Sequence, residues 1–415
     1  MIPKEISLSK VKLRHSEYPL EDIEKKVREI LSPLGKIIKP KSRIAVAVGS
    51  RGIANINIIV SEVIDYVKNA GGVPFIVPAM GSHGGATAEG QREILAGYGI
   101  TEERTGAPVL SSMETVFIGN AQCEPSFPVY MDRYAYESDG VIVINRVKPH
   151  TDFHGEHESG IVKMLVIGLG KQVQAETMHR FGVSGLAKLM PYAAQTVLDS
   201  HKILCGLAIL EDGLDNTSDI VFSVPSDFFN VDNDLLIKSR QYMAKLPFKD
   251  IDVLVVDEIG KNFSGTGMDT NVIGRVRISG QKDTEPLCHY IVVLDLAQAS
   301  HGNAMGIGLS DITTQRVSEK IDWKTTNENV ITSGFLQRGF LPIVASDDED
   351  AIAIALNCVA CTSDEVRMVR IKNTLDLNEV YVSNSLLNEL RKNGIEHSVL
   401  KQTQLAFHNG NITEF

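Results

Sequence analysis

Apolar positions along the chain follow two rhythms. Residues 44–48 (Ile-Ala-Val-Ala-Val) and 140–145 (Gly-Val-Ile-Val-Ile-Asn) are continuous, mostly β-branched runs, the pattern of strands covered on both faces. Between them Ile56, Ile59, Val60, Val63, Ile64 and Val67 fall at offsets 0, 3, 4, 7, 8 and 11, one stripe of an α-helix. Asn55 is the expected N-cap, and Gly71-Gly72 the stop. A second strand is predicted at 73–77, then a helix near 88–96 with Thr87 as its cap. Further strands are predicted at 204–210 and 220–224, and a helix at 235–244. A second unit begins near Asp250, with strands at 251–256, 290–296, 341–345, 366–371 and 380–382 and helices near 324–333, 348–360 and 384–393.

Strands alternating with helices predict an α/β fold in two lobes. The expectation is an N-terminal α/β catalytic domain with a parallel sheet, residues 1–247, and a smaller C-terminal α/β domain, residues 248–399. The tail 400–415 can be grouped with the first. In open parallel sheets ligands sit outside the carboxyl ends of the strands. That singles out the loops 49–55, 80–87, 146–160 and 258–275.

Composition narrows the classes. The 415 residues are 43% hydrophobic and 22% charged, so a packed core is affordable and disorder is excluded. A net charge of -11 argues against nucleic-acid binding. The N-terminal stretch has no long apolar run, so a cytoplasmic protein without a membrane span is expected. Five cysteines make a disulfide framework implausible. Cys358 and Cys361 form one CxxC within a stretch read as a buried helix, where core packing is the simpler role.

The unusual residues fall in the predicted loops. His150, His154 and His157 are spaced i, i+4, i+7, but Pro149, Asp152 and Gly155 argue for a loop rather than one helical face. A zinc-dependent hydrolase using these three imidazoles is one reading, although no HExxH or Cys/His frame accompanies them. His83 lies in Gly81-Ser82-His83-Gly84-Gly85, which is neither a Walker loop nor GxGxxG. The absence of GxGxxG after any early strand weighs against a nicotinamide-dependent dehydrogenase. Lys163 sits among apolar neighbours, where a lysine is either snorkelling or reactive. Arg51 after the first strand, and Arg275 and Arg277 after the Gly-rich loop, are candidate anion contacts, with solvated surface as the plainer reading.

Taken in order, Gly49-Ser50-Arg51, Gly81-Ser82-His83, Pro149-His150, Ser159-Gly160-x-x-Lys163, His179 and Met268-Asp269-Thr270-Asn271 resemble the nickel-pincer lactate racemase family. The matches run from about residue 44 to 277. The resemblance implies a racemase or epimerase of a 2-hydroxycarboxylic acid. It would act by reversible hydride transfer through a 2-oxo acid, with a nickel-pincer nucleotide (a pyridinium-3-thioamide-5-thiocarboxylic acid mononucleotide) as cofactor. It implies that Lys163 tethers the cofactor and that His179 ligates nickel. Ser50, Gly81, Ser82, Asp269 and Asn271 would line the cofactor site. His83 and His150 would be the two bases, and Arg51 would hold the substrate carboxylate. Cofactor-synthesis proteins would be needed as partners. Two departures bear on the substrate. About three extra residues stand between His150 and Lys163, including His154 and His157, so His154 is a candidate substrate contact or replacement base. Ile273, Gly274, Arg275 and Arg277 stand where lactate racemases carry Tyr, Gln, Ser and Lys, which points away from lactate and makes Arg275 a candidate substrate contact. A non-enzymatic binder is the least economical reading, since it would need no pair of bases.

Overall fold

The structure is a computed structural model and describes residues 6–50 and 52–413. By contact the chain divides into two units, Ser16–Met243 and a second made of Met1–His15 with Ala244–Phe415.

Unit Ser16–Met243 is built on a five-stranded sheet in the order Val73–Pro78, Arg43–Val48, Gly140–Arg146, Ile203–Glu211, Thr217–Ser223. The first four strands are parallel, and the last returns antiparallel. The β-branched runs behave as the pattern predicts, because alternate side chains leave opposite faces. Ala45, Ala47, Val141 and Val143 pack on one side with the helical segments 161–198 and the helix Phe228–Tyr242. Ile44, Val46, Val48, Ile142 and Ile144 pack on the other with the helix Ile56–Asn69. All six residues of that helix's predicted stripe are buried, and each is worth about 1.5–3 kcal/mol of transfer free energy. Asn55 does precede the helix, but in the left-handed region and without a capping bond; its side chain donates instead to Thr217 Oγ1 (3.1 Å). Thr87 caps its helix as expected, accepting from Gly90 N–H at 3.1 Å.

The strand order places a switch point between Arg43–Val48 and Gly140–Arg146. The helix following the first covers one face, and the helices following the second cover the other. Crossovers that part in this way leave a crevice at the carboxyl ends of the two strands. The ends of this unit lie together: Ser16 Oγ donates to the Tyr242 carbonyl at 2.5 Å, and the rings of Tyr18 and Tyr242 are 5.0 Å apart.

The other unit carries an eight-stranded mixed sheet. Its order is Ile343–Ala345, Ile312–Thr314, Leu287–Leu296, Asp250–Ile259, Met368–Ile371, Glu379–Ser383, Ser7–Leu13, His397–Gln404. The strand Ser7–Leu13 pairs antiparallel with both Glu379–Ser383 and His397–Gln404. This corrects the domain boundaries expected from the sequence. Residues 1–15 and the tail belong with the C-terminal half, because the first strand is what joins the tail strand to that sheet. The CxxC expectation is also corrected. The helix Asp348–Cys358 buries Ala351, Ile352 and Ala355, but Cys358 at its end and Cys361 beyond it are both exposed. No described helix is long and apolar enough to cross a membrane.

Candidate active site

Three loops at the carboxyl ends of neighbouring strands carry the candidate residues of unit Ser16–Met243. After Arg43–Val48 come Gly49 and Ser50; Arg51 lies outside the described residues. After Val73–Pro78 comes the turn with Gly81, Ser82 and His83. Gly81 has φ +61°, and a Cβ there would meet the Ile167 side chain at 3.1 Å, so the turn requires glycine. Ser50 Oγ lies 2.5 Å from His83 Nδ1, so two of the predicted positions meet directly. Ser82 is exposed, and its carbonyl accepts from Ala86 N–H.

The His83 turn is held from beneath by a buried polar group that sequence reasoning missed. Lys171, fully buried and at φ +55°, donates from Nζ to the Pro78 carbonyl (2.5 Å) and to Gln91 Oε1 (3.0 Å). It also pairs with Asp132 Oδ2 at 3.2 Å. Gln91 Nε2 in turn donates to the carbonyls of Gly81 (2.8 Å) and His83 (3.2 Å). Burial pushes the Asp132 carboxyl up and the Lys171 amine down, while their mutual attraction opposes both shifts. Removing either partner strands the other's charge.

After Gly140–Arg146 the chain makes the loop with the three histidines, and none of it is helical. Glu158, fully buried, organises it. Its Oε2 accepts from His150 N–H (2.7 Å). Its Oε1 accepts from Gly155 N–H (2.9 Å) and Arg240 Nη2 (2.5 Å), with His154 Nδ1 at 3.2 Å. Burial alone would raise this carboxyl, but the bonds from His154, His150 and Gly155 outweigh it and hold it below the ordinary value. The His150 ring lies on Phe153, centroids 4.5 Å apart, and Lys163 Nζ lies 5.9 Å from the same Phe153 ring. His157 points elsewhere. It is 8% exposed, edge-on to Phe229, and burial lowers its pKa. The three imidazoles therefore do not converge, and among the described residues no group of three His, Cys, Asp or Glu could hold a metal. The zinc-hydrolase alternative loses its ligand set.

The Ser159-Gly160 step starts the helical turn Ile161–Lys163, which continues as a π-helical turn over Met164–Gly168. Ser159 Oγ accepts from Lys148 N–H (2.7 Å), and Asn145 Nδ2 donates to the Gly160 carbonyl (2.8 Å). Asp232, fully buried, accepts from Ile161 N–H (3.0 Å) and Val162 N–H (2.7 Å). Gly160 has φ +105°, and a Cβ there would stand 2.4 Å from the Asp232 carboxylate, so the position admits only glycine. Burial raises the Asp232 carboxyl to about 7 against the pull of those two N–H groups. His179, half-buried on the helix Lys171–Arg180, has its pKa lowered by burial and then by the charge of Lys163, with Asp152 acting in the opposite sense. Lys163 and Asp152 are thus each within electrostatic reach of His179, and the downward shift favours the neutral imidazole, the form that ligates metals.

Asp269, Asn271 and Arg275 lie in the other unit. Asp269 Oδ1 accepts from both Asn271 N–H and Asn271 Nδ2, each at 2.9 Å, while Asp269 N–H donates to Thr374 Oγ1 (2.9 Å). These bonds form a local turn at the start of the helix Thr270–Ile273. The expectation that Arg275 contacts substrate is corrected. Its guanidinium is 7% exposed, pairs with Asp311, and donates to the carbonyls of Leu309 (3.2 Å), Cys288 (2.6 Å) and His289 (2.9 Å). Arg277 donates to the same Asp311 (2.6 Å) and to the Gly308 carbonyl (2.7 Å). Arg275 is an internal strut, and Arg277, its side chain 34% exposed, is tied to the same carboxylate.

The sequence profile of the lactate racemase N-terminal domain matches residues 2–187. That stretch is similar to a lactate racemase N-terminal domain. This stretch contains Ser50, His83, His150, Lys163 and His179. Among solved structures, the lactate racemase apoprotein from Thermoanaerobacterium thermosaccharolyticum is similar at a TM-score of 0.53 and 13% identity, over 90% of this chain and 99% of that one. At that identity the likeness speaks for the shared α/β fold. No curated protein matches the sequence.

Proposed function

We propose that the protein is a racemase or epimerase of a 2-hydroxycarboxylic acid, interconverting the two configurations at C2 through a 2-oxo acid. What carries the reading is one juxtaposition. Lys163 and His179, sixteen positions apart, act electrostatically on each other, and Lys163 lies over the Phe153 ring that His150 also contacts, inside a stretch similar to the lactate racemase N-terminal domain. The donor set fits a lysine-tethered nickel-pincer nucleotide: Lys163 offers an amine for the covalent link, and His179 offers a neutral imidazole, a ligand type that suits nickel. When bound, that group supplies a reversible acceptor for the C2 hydride, which a side chain cannot provide.

The chain's own residues handle the rest. As hydride leaves C2, the hydroxyl proton must leave too, and it must return in the reverse direction. Imidazole, with a free pKa near 6.5, serves both directions at neutral pH. His83 stands on one strand-end loop and the histidines of the 150–154 loop on another, so two proton-handling groups are available for two mirror-related substrates. Ser50 fixes the His83 ring through Nδ1. Arg51 is the proposed carboxylate clamp, which would align the encounter. Asp269 and Asn271 remain proposed cofactor contacts.

The test is to produce the chain together with cofactor-building enzymes and digest it for mass spectrometry. An adduct on the Lys163 peptide is expected, together with inversion at C2 of at least one member of a hydroxy-acid panel by chiral chromatography. An unmodified Lys163 peptide in an active preparation refutes the role assigned to that lysine.

A further inference from the structure

The turn that carries Lys163 is held by residues outside it. Ile161–Lys163 is three residues of α-helix, after which the chain passes into the π-helical turn Met164–Gly168. So short a helix makes too few internal bonds to be stable alone. Its N-cap residue, Gly160, has no side chain to accept from the first N–H groups. Asp232 takes over that task from the helix Phe228–Tyr242. One carboxylate oxygen accepts from Ile161 N–H (3.0 Å) and the other from Val162 N–H (2.7 Å). The Gly160 carbonyl accepts from Asn145 Nδ2 at 2.8 Å and from Met164 N–H at 3.1 Å. The Gly160–Ile161 peptide is thus gripped at both polar ends, its N–H by Asp232 and its C=O by Asn145. Ile161 and Val162 are fully buried, and Lys163 is the first residue of the turn that is not.

We propose that Asp232 and Asn145 are positioning residues for Lys163: together they clamp the Gly160–Ile161 peptide and so fix the main chain from which that amine reaches the Phe153 ring. The proposal rests on the reading of Lys163 as the cofactor tether and adds two residues to it. Burying a carboxylate is costly, and the stability of a three-residue turn gains little from it. What the clamp secures is placement, since a reacting group set about 1 Å away can lose about 10²-fold in rate. Asn145 also lies against Gly49, where a Cβ would stand 2.7 Å from its Oδ1. Gly49 precedes Ser50, whose Oγ meets His83 Nδ1. One asparagine therefore touches both the lysine turn and the loop that contacts His83.

Trace acetylation of the cofactor-free full chain, read by peptide mass spectrometry, reports how firmly Lys163 is held. The exposed Lys188 is the internal reference. Asp232→Asn removes an acceptor from one of the two N–H groups, and Asn145→Ala removes the donor to the carbonyl. Each should speed Lys163 labelling relative to Lys188 by roughly two- to tenfold, the weight of one hydrogen bond. Val63→Ala opens a cavity on the other face of the sheet, so it should destabilise the lobe without moving that ratio. A wild-type ratio in folded Asp232→Asn overturns the proposal. Should that variant not fold, a wild-type ratio in Asn145→Ala overturns it, and so does an equal rise in Val63→Ala. Made with the cofactor-building enzymes, both clamp variants should carry less adduct on Lys163 than the wild type. Their kcat should fall by up to about 10²-fold, with KM changed less. Full adduct and wild-type kcat in both would overturn the positioning role. If the wild type itself carries no adduct, the tether reading falls, while the labelling ratios still decide whether the clamp sets Lys163.

Discussion

Asp232 should make the stability of its lobe depend on pH in a way that one substitution removes. Its carboxyl is wholly buried, faces two main-chain N–H groups and titrates at about 7 in the folded protein. In the unfolded chain an aspartate titrates near 3.9. Between those values the folded state holds a proton that the unfolded state has lost, so stability falls as pH rises through this window and is level above it. About three pKa units at 1.36 kcal/mol each put the full effect near 4 kcal/mol, taken as an order of magnitude. Asp232→Asn keeps an oxygen for one of the two N–H groups and cannot ionise. The variant should be the less stable of the two at pH 4, where the neutral acid costs nothing, and should gain on the wild type steadily toward pH 7. Hydrogen-exchange mass spectrometry on peptides from the strand Gly140–Arg146 would follow this, since its buried amides exchange slowest when the lobe opens as a unit. The readout is the difference in protection between variant and wild type from pH 4 to 8, corrected for intrinsic exchange. A difference that stays constant across that range would refute the argument.

Four further outcomes are expected. Lys171→Met leaves Asp132 buried without its partner and frees the Pro78 carbonyl, so the lobe should lose about 3–5 kcal/mol; a thermal melt unchanged within 1 °C would show that the pair is not ionised. Arg275→Gln should destabilise the Ala244–Phe415 unit and leave the KM of loaded enzyme alone, because its guanidinium is spent on Asp311 and three carbonyls; a raised KM with an unchanged melt would restore it as a substrate contact. His179→Ala should abolish nickel retention by metal analysis of protein made with the cofactor-building enzymes, and full retention would refute the ligand assignment. Ser50→Ala removes the contact to His83 Nδ1 and should lower kcat more than it changes KM; a pure KM effect would mean that Ser50 touches the substrate rather than orienting the ring.

What could be read from the sequence was what local periodicity encodes. The stripe of Ile56 to Val67 and the runs at 44–48 and 140–145 each state their own partner face, so the central sheet and its strand-end loops were predictable. Ser7–Leu13 was not, because its place depends on strands nearly four hundred residues away, and seven residues of mixed pattern give no hint of that pairing. The helical stretch after Lys163 was missed for another reason: two π-helical turns and the positive φ at Lys171 interrupt the 3.6-residue rhythm. In the site, residue type and loop position drew attention to His83, His150 and Lys163, and the family resemblance added His179. The buried charges that hold them were silent, since Glu158, Asp232 and Lys171 read as ordinary surface residues until the fold shows what surrounds them. Lys171 had the best available signal, a lone charge following the apolar stretch Met164 to Gly170. Arg275 shows the converse error: an arginine beside a Gly-rich loop looked like an anion contact, and carbonyl groups of its own unit occupy it.

Ser16 and Tyr242, bonded to one another, mark the two points where the polypeptide enters and leaves the histidine-bearing lobe. Topologically that lobe is a guest spliced into a host whose own chain resumes at Ala244. Guests with adjoining ends can be excised: residues 16–243 are suited to expression as an autonomous fragment, and the host to closure by a short artificial bridge between His15 and Ala244.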